Sequence, residues 1–152
     1  MLGKNIESVT AAVLYSACRQ CNVPRTLYEI SSASGISRKK IGKVYKHISQ
    51  ELGFNLAPAS PIEYVPRFCS ELRLYDGVKE KAVQILNIAS EKGFINGHNP
   101  TSVAAAAVYI ASILCNDKKT QQEIANAAHV SPANIRKNFK NLNEKLSLGI
   151  VI

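Results

Sequence analysis

Apolar side chains recur along this chain at helical, not strand, spacing. Ile135, Phe139, Leu142 and Leu146 fall at intervals of 4, 3 and 4, which places them on one face of a helix. Ile41, Tyr45, Ile48 and Leu52 repeat the same intervals. Val78, Ala82, Ile85, Leu86 and Ala89 form a third apolar stripe, predicting a helix over residues 78–94 that Gly93 and Gly97 bound. Before it, residues 61–74 predict a helix broken by Tyr75-Asp76-Gly77. Residues 8–17 and 102–111 are instead apolar or small all round, with Ala104 to Ala107 consecutive, and predict core helices buried on nearly every side. Their starts fall near Asn5 and Asn99-Pro100. The pattern predicts an all-α fold.

The helices come in two sets. Shifting the chain by 94 residues aligns residues 3–52 with 97–146 without a gap, and 19 of the 50 positions are identical. Such self-similarity marks a tandem repeat. In both copies the middle helix opens on Thr-x-x-Glu, at Thr26-Leu27-Tyr28-Glu29 and Thr120-Gln121-Gln122-Glu123, the signature of a capping box. A tight turn follows, Ser34-Gly35-Ile36-Ser37 or Ala128-His129-Val130-Ser131. Ser37 and Ser131 are then the expected caps of the last helix, and Pro132 suits its first position. With the two upstream helices a full repeat has five. This predicts a partial first repeat over residues 1–56 with only the last three helices, a linker at 57–60, and a complete second repeat over 61–152. The proline-containing stretch 53–60, with Pro58, is the expected connection.

Composition narrows the class. Of 152 residues, 46% are apolar and 20% charged, as in a folded soluble protein. The longest mostly apolar run, residues 103–115, is too short for a membrane span of about 20 residues. The opening Met1-Leu2-Gly3-Lys4-Asn5 has no apolar secretory core, and four scattered cysteines make no disulfide framework, so an intracellular protein is expected. The net charge of +8 is uneven: +5 over residues 1–56, 0 over 57–97 and +3 over 98–152. All of the excess sits in the two repeated blocks.

Helix, short turn and basic helix is the helix-turn-helix pattern. The face opposite the apolar stripe carries Arg136, Lys137 and Lys140 in one copy and Lys39, Lys40, Lys43 and Lys46 in the other. A basic helix whose first turn is polar can enter a major groove and meet base edges there. Arg136 is the expected base contact because its guanidinium can bind guanine bidentately, whereas Lys137 and Lys140 suit phosphates. Catalytic and metal chemistry find less support. Cys18 and Cys21 form a Cys-x-x-Cys without the second pair a zinc site needs, and both are expected to be buried or half-buried thiols. Gly35 and Gly42-Lys43 lack the spacing of a phosphate loop, and His47, His98 and His129 are dispersed with no nucleophile beside them. Neither an enzyme nor a cofactor is expected.

The stretch Ala17-Cys18-Arg19-Gln20-Cys21-Asn22-Val23-Pro24-Arg25-Thr26, with Ile36-Ser37-Arg38-Lys39-Lys40-Ile41-Gly42-Lys43, resembles the first cyclin-like repeat of the transcription initiation factor B family. Tyr64-Val65-Pro66-Arg67-Phe68, the run from Ser102 to Ser112 and Thr120-Gln121-Gln122-Glu123-Ile124-Ala125 resemble the second. The resemblance covers nearly the whole chain and takes in the archaeal factor and its eukaryotic relative, general factor IIB. It implies tandem cyclin-like repeats that bind the TATA-binding protein on bent promoter DNA, with the second repeat reading an upstream element. The positions that match its base contacts are Ala133 and Arg136, and Asn134, Lys137 and Lys140 complete the implied DNA face. Arg38, Lys39, Lys40 and Lys43 match the side that faces the TATA-binding protein and DNA, and Gly3-Lys4 matches a pair near downstream DNA. Ala133 is smaller than the apolar residue the family often carries there, and His98 replaces its usual Arg or Lys.

The family's zinc ribbon and the first two helices of repeat one have no counterpart here, so weak recruitment of RNA polymerase is expected, as is an apolar face on the first core helix without its usual cover, the chain being a fragment or that face being covered by another chain or by a rearrangement. The implied location is the cytoplasm for an archaeal protein and the nucleus for a eukaryotic one, with no membrane partner. Two other readings fit the pattern. One is a cyclin-type adaptor whose basic faces meet an acidic protein. The other is a stand-alone helix-turn-helix regulator that binds DNA unaided.

Overall fold

The computed structural model describes residues 5–54 and 59–151, so Gly3, Lys4, Ala57 and Pro58 lie outside the described residues. Among the described residues every regular element is helical, and the chain divides into two compact units, residues 1–59 and 60–152.

The first unit holds α1 (Ile6–Gln20), α2 (Leu27–Ser34) and α3 (Arg38–Glu51). Each begins where a side-chain oxygen captures an otherwise orphaned N–H. Asn5 accepts from Glu7 N at 2.8 Å, Thr26 from Glu29 N at 3.2 Å, and Ser37 from Lys40 N at 3.4 Å. The core gathers Ala11, Ala12, Ile30, Ile41, Val44 and Ile48, and each isoleucine removed from water contributes about 1.5–3 kcal/mol. Tyr15 and Tyr45 meet edge to face, ring centroids 5.0 Å apart. Two expectations fail here. Leu52 is 69% exposed, because α3 ends before it and Gly53 turns the chain into the left-handed region. Phe54, expected in the connection, packs on this core instead.

The second unit starts with a 3-10 turn, Pro61–Tyr64, and continues through α4 (Val65–Glu71), α5 (Asp76–Glu91), α6 (Pro100–Leu114), α7 (Gln121–Ala128) and α8 (Pro132–Leu146). The break between α4 and α5 comes earlier than the glycine suggested. Arg73 takes a left-handed φ of 53°, and Leu74 N returns to Cys69 O at 2.9 Å. Asp76 and Gly77, read as breakers, form the first turn of α5, where Asp76 suits the positive helix start and meets Lys79 at 2.8 Å. At the centre lies α6, with every residue from Thr101 to Ser112 buried, packed by α4, α5, α7 and α8. Tyr109 and Phe139 meet edge to face at 5.5 Å, the repeat-matched counterpart of Tyr15 and Tyr45.

Burial on nearly every side holds for α6 but not for α1. Ala11 and Ala12 are buried, yet Ile6 is 82%, Val13 49% and Leu14 50% exposed, and Thr10 and Ala17 stand in solvent with them. The matching positions on α6, Ala104, Ala107, Val108 and Ala111, are fully buried. These α1 side chains are thus exposed where the α6 residues are buried.

Candidate nucleic-acid interface

Two helix–turn–helix corners present the basic side chains, α2 to α3 in the first unit and α7 to α8 in the second. Both open on a complete capping box. Thr26 N donates to Glu29 Oε2 at 2.8 Å and Thr120 N donates to Glu123 Oε2 at 2.7 Å, with the return bonds from Glu29 N and Glu123 N in place. The backbone N–H of Thr120, then its hydroxyl, holds the Glu123 carboxyl below its ordinary range. Both corners turn through the left-handed region, at Gly35 with φ 69° and at His129 with φ 52°. Glycine reaches that conformation without strain, whereas histidine carries a Cβ through it.

In the second unit Ser131 caps α8 by accepting from Asn134 N at 3.2 Å, and Pro132 fills the first position. Ile135, Phe139 and Leu142 are buried, and Leu146 is half-buried. That anchorage turns Ala133, Asn134, Arg136, Lys137 and Lys140 outward together, all exposed, with no acidic residue in the helix's first turn. In the first unit Arg38, Lys39, Lys40, Lys43 and Lys46 are likewise exposed on α3. Each set is assembled within its own unit, and Lys4 lies outside the described residues.

The two basic helices differ at one telling place. The 94-residue shift pairs Lys43 with Lys137 and Lys46 with Lys140, so the phosphate-type cations recur. Arg136, however, pairs with Gly42, and Ala133 with Lys39. Only α8 offers a guanidinium at that position.

Two features escaped the sequence reading. The Arg38 guanidinium lies 5.9 Å from the centroid of the half-exposed Tyr28 ring, a cation–π placement that steadies it at the head of α3. Tyr28 pairs with Gln122 in the other copy, and that substitution is the signal that could have exposed it. Asn138 is buried, and its place three residues after Ile135 and one before Phe139, with Val44 as its repeat counterpart, is the signal that could have found it.

The cysteines are free, with Cys69 buried, Cys18 and Cys115 half-buried and Cys21 exposed, against the expectation for Cys21. As the residue that ends α1, Cys21 protrudes where the chain turns away. Burial, which outweighs the opposing pull of Lys79, pushes the Cys69 thiol up to about 11. Among the described residues no three His, Cys, Asp or Glu side chains gather to hold a metal, and no helix is long and apolar enough to cross a membrane.

Fold and corners together define a tandem helical-repeat protein in which each unit closes on a helix-turn-helix. The chain belongs to the transcription factor TFIIB repeat family, which it matches over residues 1–51 and again over 55–145. That is a family of transcription factors, not of enzymes. The chain is 54% identical over 150 residues to transcription initiation factor IIB of Methanothrix thermoacetophila and 55% to that of Methanosarcina mazei. Both alignments cover 99% of this chain and 44% of the relative, so the chain spans less than half the length of these archaeal relatives.

Proposed function

We propose that this chain acts in transcription initiation by engaging a promoter already bound by the TATA-binding protein, with α8 reading bases in the major groove and α3 supplying charge. The observation that carries this reading is the contrast between the two basic helices. The lysines recur in both, while the exposed Arg136 stands in α8 alone, facing out beside Ala133 and Asn134. Lysines recurring on matched faces suit phosphates, which lack sequence information, and a lone guanidinium suits a guanine edge. Arg38, Lys39, Lys40 and Lys43 would face the TATA-binding protein and flanking DNA. The two units serve as successive cyclin-like repeats, and the setting is the cytoplasm of an archaeal cell, with RNA polymerase joining the assembled complex.

A mobility-shift titration on a TATA-containing duplex tests this. The expected result is a shifted complex only when TATA-binding protein is added, dependent on the bases upstream of TATA. Tight binding without that protein would identify a stand-alone regulator. No binding in either case, with capture of an acidic protein instead, would identify an adaptor.

A further inference from the structure

Asn138 occupies a position that its own repeat copy gives to a hydrophobe. The 94-residue shift pairs it with Val44, which lies in the first unit's core. Asn138 is only 8% exposed, between the core residues Ile135, Phe139 and Leu142 of α8. A buried amide without a partner is costly, and this one finds its partner in the backbone of its own helix. Its Nδ2 donates to the carbonyl of Asn134, one turn back, at 2.9 Å. Asn134 is held from the other side too, since its N–H is taken by the Ser131 hydroxyl at 3.2 Å and the Ser131 carbonyl at 3.0 Å. The peptide units on either side of Asn134 are therefore fixed at both ends, one to the cap and one to the core. Ala133 and Arg136 flank that residue on the exposed side.

The first unit has half of this arrangement. Lys40, the counterpart of Asn134, has its N–H held by Ser37 at 3.4 Å, but the Val44 side chain has no donor to add to the helix's own bond at the Lys40 carbonyl. The helix with the second clamp is also the helix with Arg136, while α3 has Val44 and Gly42 at those two places. A side-chain donor to the carbonyl four residues back alters local helix geometry, and valine at this position would pack without any desolvation cost. Stability alone does not account for the amide.

We infer that Asn138 is a positioning residue for base recognition: its bond to the Asn134 carbonyl sets the first turn of α8 so that Ala133 and Arg136 meet base edges. The inference rests on α8 being the reading helix. Its test measures binding of the full chain, with TATA-binding protein, to duplexes that differ by single base pairs upstream of TATA. Asn138→Val is expected to narrow the spread of affinities about three- to tenfold, because a loosened support shell blurs the site it holds. Its salt dependence should match the parent's, and its melting temperature should not fall. Asn138→Ser, which restores a donor able to reach the Asn134 carbonyl, is expected to regain discrimination.

An Asn138→Val chain that discriminates like the parent overturns the inference while leaving the reading helix intact. Equal loss in the valine and serine variants also overturns it, because the carbonyl bond would then not be the agent. A changed salt slope does so as well, since the whole helix would have moved. If the parent chain itself shows no base preference, the reading helix fails first and this inference falls with it.

Discussion

Arg136 and Lys137 are sequence neighbours on one exposed turn, yet the chemistry of their ends assigns them different work. A guanidinium presents paired donors in a fixed plane, so Arg136→Ala should cost about 1–3 kcal/mol on the preferred site and much less on a scrambled one. Lys137→Ala should weaken both sites alike and lower the salt slope by about 0.9, the signature of one lost phosphate contact. Competition titrations on the two duplexes separate these outcomes, and equal losses for Arg136→Ala would make it a phosphate contact only. The turn before each basic helix shows residue-scale physics of another kind. A Cβ built on Gly35 meets nothing within 4 Å, so a substitution there feels backbone strain alone. Gly35→Ala should therefore destabilise the first unit by about 1–2 kcal/mol, read as faster amide exchange in α2 and α3.

At the scale of the element, α7 is held at its start by a charged cap whose strength depends on pH. The Glu123 carboxyl titrates below its ordinary range because the Thr120 N–H and hydroxyl stabilise the carboxylate. A folded-state pKa below the unfolded one gives stability that is fully present above the unfolded value. That stability is lost as pH falls through the folded value. Glu123→Gln should thus exchange faster in α7 than the parent at neutral pH, and the difference should close on acidification below the ordinary carboxylate range. A difference that persisted in acid would show that the charge is not what the cap supplies. The starts of α1, α2, α3, α6, α7 and α8 are legible in the sequence for this same reason: Asn5, Thr26, Ser37, Asn99, Thr120 and Ser131 are local caps. The end of α4 is not, because Arg73 adopts a left-handed conformation that its residue type does not advertise. Of the candidate site, the outward cations on α3 and α8 are legible because helical period alone turns them away from the core. The Asn138 bond to the Asn134 carbonyl and the Arg38–Tyr28 contact are not, since each depends on what packing does to a side chain.

For the molecule as a whole, the decisive quantity is where the charge lies. Residues 57–97 are neutral and the flanking blocks carry +5 and +3, so the cations concentrate in the parts of the chain that form the two corners. Arg38, Lys39, Lys40 and Lys43 on α3, with Arg136, Lys137 and Lys140 on α8, are exposed and therefore available to phosphates. Each cation that replaces condensed counterions on duplex DNA returns them to solution, and that release weakens as salt rises. If about four to six phosphates are neutralised, log K should fall against log salt with a slope of about −4 to −5. Each doubling of salt would then weaken binding about 16- to 32-fold. An acidic protein partner would screen differently, because a folded surface lacks the condensed counterion atmosphere of a duplex. A titration on TATA duplex with TATA-binding protein present, with the slope of that protein alone subtracted, measures the contribution of this chain. A residual slope near zero would mean that the basic helices do not meet DNA, and would leave their matched lysines to a protein surface.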